Sequence, residues 1–244
     1  MFEPEVLFLG IAVLLLGVAK GGFGGVGAPV ALPIMALAVS PALALGALLP
    51  ILIAMDLVSV GAHRKNADIP AVLYALPAAG VGVLIGAALI VLVSPALIGG
   101  AIGVLAITFA IMALTGYAPR IDGWPRWTNG VFGGLSGLTS TLAHAGGPPI
   151  HIYFLSRGYA QHQFVATSAL FMAGVNLIKV VPFVVVGTLD REAALLSLYL
   201  LPLALASAYV GVLVSRRMSK AVFKIAVNGL MIVVGLKLIF DAFT

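Results

Sequence analysis

The chain has 244 residues, of which 62% are hydrophobic and 9% are charged. With a mean hydropathy of +1.20, this composition excludes an ordinary soluble globular domain and indicates a chain that lies in a lipid bilayer. The formal net charge is +5 and there are no cysteines, which excludes disulfide and thiol chemistry. Because the positive charges fall in loops, they report topology, and we expect no nucleic-acid partner.

Six apolar segments are long enough to cross about 30 Å of hydrocarbon as helices. They are residues 43–62, 69–93, 96–116, 164–187, 193–214 and 222–240. Two shorter apolar pieces, residues 6–19 and 29–39, precede the first of them and are separated by the stretch KGGFGGVGAP. A run that resembles a membrane helix therefore stops at a lysine and gives way to glycine.

The chain repeats itself after 125 residues. The recurring residues are Tyr74, Leu76, Pro77, Gly86, Ser94 and Ala96, which return as Tyr199, Leu201, Pro202, Gly211, Ser219 and Ala221. Each half contains two short apolar pieces and then three long segments. The predicted units are a first repeat at 1–118 with its short pieces at 6–39, a cytoplasmic linker at 119–127, and a second repeat at 128–244 with its short pieces at 131–155.

Each pair of short pieces is either one broken span, which gives parallel repeats, or a re-entrant hairpin, which gives inverted repeats. Inverted repeats put the loop cations in the cytoplasm except Arg191. Parallel repeats instead place outside the cations Arg157, Arg216, Arg217 and Lys220. The positive-inside rule therefore favours inversion, with both termini on the non-cytoplasmic side. We predict an all-α polytopic membrane protein of two inverted repeats, each a short re-entrant or broken helical hairpin plus three transmembrane helices.

Inverted repeats with interrupted helices at matching positions indicate a secondary transporter, whose site lies near the bilayer midplane. Backbone leaves helical geometry at membrane depth only where protein or a wet cavity satisfies it. In the first break, Gly22, Gly24 and Gly25 permit close approach of the main chain to a ligand, and we assign them to substrate binding. Close packing of small residues between helices is the alternative for these glycines.

Three ionisable side chains lie at membrane depth, where insertion costs about 2.5–3.5 kcal/mol each. We predict that Lys20 makes a substrate or gating contact, and the alternatives are that it snorkels or pairs with a carboxylate. Asp56 is aligned with Asn176 in the repeat, and Asn176 is assigned to the substrate site. Asp56 either pairs with Lys20 or Lys179 or takes part in ion coupling, and Lys179 either acts in coupling or gating or snorkels to the interface.

The second break is polar where the first is bare glycine. The residues assigned to substrate binding are Thr139, Ser140, Thr141, His144, Gly146 and Gly147. Hydroxyl groups can donate to anionic oxygens, and imidazole titrates near neutral pH. Hydroxyls can equally bond back to their own helix. His151, in the short piece that follows, is either a coupling or gating group or a packed polar residue.

Two short motifs are shared with a class of membrane enzymes. The sequence GLSG at residues 134–137 and AHAGG at 143–147 share the GxSG and AHxxG marks of rhomboid-type intramembrane serine proteases. Those proteases bring serine and histidine together from distant helices, whereas Ser136 and His144 here flank one short break. We therefore expect that the chain is not an enzyme.

Two motifs carry a family resemblance. GxxKGGFGGVGAPxxLP at residues 17–33 and its degenerate copy GGLSGLTSTLAHAGGPP at 133–149 resemble the TauE/SafE sulfite exporter family, and the likeness extends over essentially the whole chain. The resemblance implies transport of sulfite or organosulfonates such as sulfoacetate across the bacterial inner membrane, with no metal or organic cofactor. The second copy departs from the pattern, because it carries hydroxyls and His144 where more glycine is expected.

The sequence thus predicts a secondary transporter of small sulfur-containing oxyanions that works by alternating access around two glycine/proline helix breaks. An anion channel that uses the same breaks as a filter is the alternative. The expected partners are the lipid bilayer and a small anionic substrate. A proton or a sodium ion is the candidate coupling ion, and a homodimer is left open.

Overall fold

A computed structural model describes residues 4–22, 30–63, 66–116, 127–214 and 220–243. These residues form helices and connecting turns, with no strand among them. The helices are α1 (Pro4–Gly22), α2 (Ala31–Met35), α3 (Pro41–His63), α4 (Ile69–Leu92), α5 (Pro95–Thr115), α6 (Trp127–Ala143), α7 (Gly147–Ser156), α8 (Gln161–Val185), α9 (Arg191–Val214) and α10 (Lys220–Phe243). Helices α1 to α5 fall in the first predicted repeat and α6 to α10 in the second.

Within the described residues, four helices have the length and apolar composition needed to cross a membrane. They are Pro41–Gly61, Ile69–Leu92, Gln163–Val185 and Arg191–Gly211, in α3, α4, α8 and α9. The two other predicted spans coincide with α5 and α10. The prediction of an all-α, multi-pass membrane protein is therefore confirmed.

Each of these four helices carries an internal proline. The prolines are Pro50, Pro77, Pro182 and Pro202. A proline removes one backbone donor and bends the helix, and neighbouring helices satisfy the freed carbonyl in a membrane protein. Pro77 and Pro202 are equivalent in the 125-residue repeat, whereas Pro50 and Pro182 are not.

The two halves of the chain contact each other reciprocally. Helix α4 packs along α6, and its counterpart α9 packs along α1, the counterpart of α6. Helices α3 and α9 are in contact, and so are their counterparts α8 and α4. The remaining large contacts join counterparts directly, α3 with α8 and α5 with α10. Each short hairpin is therefore held by a long helix of the opposite half.

Counterpart helices run in opposite directions where they meet. Gly46 near the start of α3 lies against Thr188, just past the end of α8. Farther along, Asp56 of α3 bonds Asn176 of α8. Numbering that rises on one helix while it falls on the other means an antiparallel pair, and the contacts of α5 with α10 follow the same order. The inverted relation of whole repeats stays a prediction.

Helices α6 and α7 form a hairpin. The Ser136 hydroxyl of α6 donates to the Gly146 carbonyl, just before α7 begins. Farther from the turn, the Phe132 and Tyr153 ring centroids are 6.3 Å apart. A continuous helix would separate residues 136 and 146 by about 15 Å. Helices α1 and α2 also contact each other, although residues 23–29 between them lie outside the described residues.

Glycine allows the closest helix contacts. A Cβ atom added to Gly137 of α6 would lie 2.0 Å from the Ala79 carbonyl oxygen of α4. A Cβ added to Gly82 of α4 would lie 2.0 Å from the Gly134 carbonyl oxygen of α6. Membrane helices use small residues in this way to bring their backbones together. These helix glycines therefore serve packing.

We predict that Gly137→Ala destabilises the protein by roughly 1–3 kcal/mol, because overpacking forces α4 and α6 apart. The matched control is Gly229→Ala in α10, where an added Cβ has no atom within 4 Å. Thermal unfolding of the purified protein in detergent measures both variants. Equal melting temperatures for the two variants would contradict the proposed role of the α4 and α6 contact.

Candidate functional site

Polar side chains from four helices meet in two hydrogen-bonded groups within the helical core. We call the two groups together the polar cluster. Its members are Lys20 of α1, Asp56 of α3, Ser140 and His144 at the end of α6, and Asn176 and Lys179 of α8. All six were assigned to the site from sequence. Asp56 bonds Lys20 and Asn176, Lys179 bonds Ser140 and His144, and the two groups meet on α8, where Asn176 and Lys179 are three residues apart.

Asp56 is the acceptor at one end of the polar cluster. It is 3% exposed, and its Oδ1 atom accepts from the Lys20 ammonium. Its Oδ2 atom accepts from Asn176 Nδ2 at 2.5 Å. Of the two lysines that the sequence left open as partners, Lys20 is therefore the one that forms the ion pair. This pairing satisfies a carboxylate that would otherwise be very costly to bury.

The Asp56 and Asn176 contact joins two residues that the repeat aligns with each other. It lies where antiparallel α3 and α8 meet, so the two halves of the chain join at this pair. The Asn176 Oδ1 atom is buried and has no hydrogen-bond partner. An unsatisfied buried acceptor costs about 1–3 kcal/mol, and a functional site is where such an atom is expected.

Lys179 is fully buried and does not snorkel. Its Nζ atom lies 3.0 Å from Ser140 Oγ, 3.2 Å from the Ser140 carbonyl oxygen and 2.8 Å from His144 Nδ1. Three acceptors match the three N–H donors of an ammonium group. The same Nζ atom lies 5.7 Å from the centroid of the Phe183 ring, within the range of a cation–π contact.

His144 is oriented by the way in which α6 ends. Its φ of 48° places it in the left-handed region, and its backbone N–H donates to the Ser140 carbonyl at 3.0 Å. This is a helix C-cap arrangement in which glycine is the usual residue. The conformation directs the imidazole to Lys179 and to the Leu45 carbonyl of α3.

The partners of His144 fix its tautomer. Nε2 lies 2.9 Å from the Leu45 carbonyl oxygen, which can only accept, so Nε2 carries the proton. Nδ1 therefore accepts from the Lys179 ammonium. A ring with one donor and one acceptor nitrogen is neutral. His144 thus adds no charge to the polar cluster in this arrangement.

With both lysines in the ammonium form, which the three acceptors around Lys179 suit, the polar cluster carries a surplus positive charge. Lys20 and Asp56 form an ion pair, and none of the described carboxylates forms an ion pair with Lys179. The Lys179 ammonium instead meets the carbonyl end of α6, where the helix dipole is negative. Backbone dipoles compensate the Lys179 charge only in part, since they carry no net charge. The ammonium therefore lacks an anionic partner.

The other predicted site residues on the second hairpin have partners of their own. The Thr139 Oγ1 atom lies 2.9 Å from the Leu135 carbonyl oxygen and 3.0 Å from the Ala145 carbonyl oxygen, so its one O–H group donates to either of them. The Thr141 hydroxyl donates to the Gly137 carbonyl at 2.9 Å. Both follow the alternative in which hydroxyls bond back to local backbone. Their substrate roles stay predictions.

Of the glycines assigned to substrate binding, the structure describes Gly146, Gly147 and Gly22. A Cβ added to Gly146 would lie 2.8 Å from the Ser136 carbonyl oxygen, so Gly146 allows the hairpin to close. Gly147 lies against the His151 ring, and that ring packs on Phe164 with centroids 5.0 Å apart. Gly22 ends α1. Gly24 and Gly25 lie outside the described residues, and their assignment stays a prediction.

Two apolar residues of the site were not found from sequence. Leu45 contributes only a backbone carbonyl, and Phe183 contributes a ring face, to the surroundings of His144 and Lys179. Nothing in an apolar segment marks such atoms. Their role depends on which helices meet, and no local pattern encodes that.

The arrangement does not form a serine protease dyad. The Ser136 hydroxyl donates to the Gly146 carbonyl, and both ring nitrogens of His144 are bonded to other groups. A catalytic dyad requires a hydrogen bond between the serine and the histidine. The sequence marks of such proteases therefore have a structural explanation in this hairpin.

A second polar contact ties the α7–α8 loop to the start of α4. Asp68 accepts from the Ala71 backbone N–H as the N-cap of α4. The Tyr159 hydroxyl donates to Asp68 at 2.6 Å, and the Asp68 N–H donates to Thr167 Oγ1 at 2.9 Å. Burial, and then the bond to Asp68, raise the pKa of Tyr159 above its usual range, so the hydroxyl stays a donor at neutral pH.

We predict that Lys20→Met lowers stability by about 3–5 kcal/mol, because it leaves the buried Asp56 charge without its cation. The double variant with Asp56→Asn removes both charges and should recover most of the loss. The matched control is Lys237→Met, because Lys237 forms an exposed pair with Asp241 that contributes at most about 1 kcal/mol. Thermal unfolding in detergent compares them, and no recovery in the double variant would contradict a charge-pair role.

We predict that Tyr159→Phe lowers stability by roughly 1 kcal/mol, since it removes one hydrogen bond to a carboxylate. With a raised pKa, the stabilisation by this hydroxyl is fully present below the unfolded value of about 10 and is lost as the pH rises through the folded value. The difference in melting temperature between wild type and Tyr159→Phe should therefore be constant from pH 6 to 8. A difference that varies across that range would refute the bond.

A family model described as Sulfite exporter TauE/SafE matches residues 9–238, which is nearly the whole chain. No curated protein and no solved structure matches the chain. The family match confirms the resemblance carried by the two glycine-rich motifs. It also agrees with the expectation of a membrane transporter rather than an enzyme. The chain belongs to the TauE/SafE sulfite exporter family.

Proposed function

We propose that this protein is a secondary transporter that moves sulfite or organosulfonates by alternating access around its two helix breaks. The observation that carries the proposal is the surplus positive charge of the polar cluster. Lys179 is fully buried, and no described carboxylate pairs with it. A cation at membrane depth is a functional-site feature, and an anionic ligand would supply the missing charge.

The donors of the polar cluster suit the oxygens of a sulfur oxyanion. The Lys179 ammonium and the Ser140 hydroxyl are already adjacent at 3.0 Å. Charge-assisted hydrogen bonds from such groups replace the water that an anion loses on entering the protein. One N–H group of the Lys179 ammonium donates to His144 Nδ1. If the imidazole moved away, a substrate oxygen could accept that same hydrogen bond, and no further donor would be needed.

The packing of the helices supports two inverted repeats. Counterparts α3 and α8 are antiparallel, as are α5 and α10, whereas parallel repeats would make counterparts run the same way. In transporters built from inverted repeats, the substrate site lies at the repeat interface, near broken helices. The polar cluster draws Lys20 from the end of α1 and His144 from the end of α6, which are the two predicted breaks.

Burial of the polar cluster favours a carrier over a channel. Asp56, Asn176 and Lys179 are each at most 3% exposed. A channel needs a continuous wet path past its filter, whereas a carrier encloses its site between openings. The side chains of the polar cluster thus fit an occluded state of an alternating-access cycle.

Export is the direction that membrane energetics favour. A monoanion that leaves a negative-inside cell gains about 2.3 kcal/mol per 100 mV. Export across the bacterial inner membrane therefore needs no coupling ion, while uptake would need protons or sodium, with Asp56 and His151 as the candidate coupling groups. The proposed topology keeps both termini outside and the 119–127 linker in the cytoplasm.

Flux of radiolabelled sulfite from proteoliposomes tests this function. We predict saturable efflux that an opposing sulfite gradient accelerates, because a carrier returns faster when it is loaded. Lys179→Gln should lower the apparent affinity by about tenfold or more, which corresponds to one lost charge-assisted bond. The matched control, Lys237→Gln, removes an exposed lysine and should leave flux unchanged.

The same experiment distinguishes the rival functions. Sulfite flux that rises linearly with concentration and shows no trans-stimulation would indicate an anion channel. Absence of flux for sulfite and for every organosulfonate tested, in protein that remains monodisperse and helical, would refute sulfur oxyanion transport.

A further inference from the structure

The Asn176 side chain presents a buried acceptor with a fixed orientation. Its Nδ2 atom lies 2.5 Å from Asp56 Oδ2. A carboxylate paired with a lysine can only accept, so the amide nitrogen must face Asp56, and the Oδ1 atom must face away. Asn176 is 1% exposed, and this Oδ1 atom has no hydrogen-bond partner. Asn176 Oδ1 can therefore accept a hydrogen bond from a ligand.

The unpartnered acceptor and the Lys179 cation are on one face of α8. Asn176 and Lys179 are three residues apart on α8, and residues at that spacing are neighbours on one face of a helix. Asn176 reaches Asp56 of α3, and Lys179 reaches the end of α6. A small ligand bound to the Lys179 ammonium would then lie on the same face of α8 as the Asn176 side chain.

The charges around this position limit the charge of the ligand. The groups that act on Lys179 are Asp56, from α3, and Lys20, from α1. His144, at the end of α6, is neutral through its bonds to Leu45 and Lys179. Two cations and one carboxylate leave one positive charge, which one negative charge on the ligand balances. A second negative charge would be buried without a partner.

We infer that the site selects monoanions over dianions, and prefers among monoanions those that carry one hydrogen-bond donor for Asn176. This inference rests on the proposed function, since it specifies the substrate of that same site. Hydrogensulfite meets both conditions, with a single charge and one O–H group. Hydroxyalkylsulfonates meet them as well. The sulfite dianion and disulfonates do not, and neither does sulfoacetate, which carries a carboxylate beside its sulfonate, so we expect this chain to disfavour that member of the implied substrate range.

Three sulfonates of constant charge test the inference without any change of pH. Ethanesulfonate is a monoanion with no donor, 2-hydroxyethanesulfonate is a monoanion with one donor, and ethane-1,2-disulfonate is a dianion. Each competes against radiolabelled sulfite in proteoliposomes that contain the full chain. We expect 2-hydroxyethanesulfonate to inhibit about threefold to tenfold more strongly than ethanesulfonate. We expect the disulfonate to be at least about tenfold weaker than ethanesulfonate.

Asp56→Asn should strengthen inhibition by the disulfonate relative to ethanesulfonate, and loss of folding cannot produce such an increase. It keeps the shape of the side chain and raises the surplus charge from one to two. We expect the disadvantage of the disulfonate relative to ethanesulfonate to shrink by about tenfold in this variant. The control is Asp241→Asn, which alters an exposed carboxylate on α10 and should leave the ratio at its wild-type value.

The outcomes separate this inference from the proposed function. If sulfite flux is saturable but the disulfonate and ethanesulfonate inhibit it equally, selection for monoanions over dianions is wrong. Equal inhibition by ethanesulfonate and 2-hydroxyethanesulfonate would overturn the donor preference at Asn176. Absence of saturable flux for sulfite itself would instead refute the proposed function, and the inference with it.

Discussion

The ion pair between Asp56 and Lys20 is the interaction on which the rest of the site depends. A carboxylate at membrane depth needs a cation, and Lys20 at the end of α1 supplies it. Because Asp56 also accepts from Asn176 of α8, the pair joins the first helix break to the second half of the chain. Since Lys20 already neutralises Asp56, the Lys179 charge is left without a carboxylate, and this surplus is what makes an anionic ligand the expected partner.

Close helix packing gives this electrostatic arrangement its geometry. Helix α6 lies against α4 through glycine, and α1 lies against α9, so each hairpin is fixed to a long helix of the opposite half. The hairpin ends then meet at α3 and α8. At one end, α6 stops at the left-handed residue His144 and leaves a carbonyl for Lys179. Helix termini that would be unsatisfied in hydrocarbon are in this way satisfied by the polar cluster itself.

Much of the fold could be predicted from the sequence, because spanning a bilayer requires long apolar helices and repetition is visible in the residues. The partners of Asp56 could be narrowed to two lysines, since a buried carboxylate must find a cation. Which of the two lysines pairs with Asp56 could not be predicted, because it depends on how α1, α3 and α8 meet. The ligands of Lys179 were also beyond the sequence, since one is the backbone of Ser140, exposed only where α6 ends. Likewise, whether Thr139 and Thr141 face a ligand or their own helix is a matter of rotamer, which pattern does not encode.

Anion binding at Lys179 can be observed in a structure determined with bound selenite. Selenite has the shape and charge of sulfite, and selenium gives an anomalous signal that locates it without reference to the protein. We expect a selenium peak at Lys179, with the selenite oxygens about 3 Å from the Lys179 Nζ atom and with His144 displaced from that atom. A peak elsewhere in the chain, with the Lys179 and His144 contact intact, would contradict it.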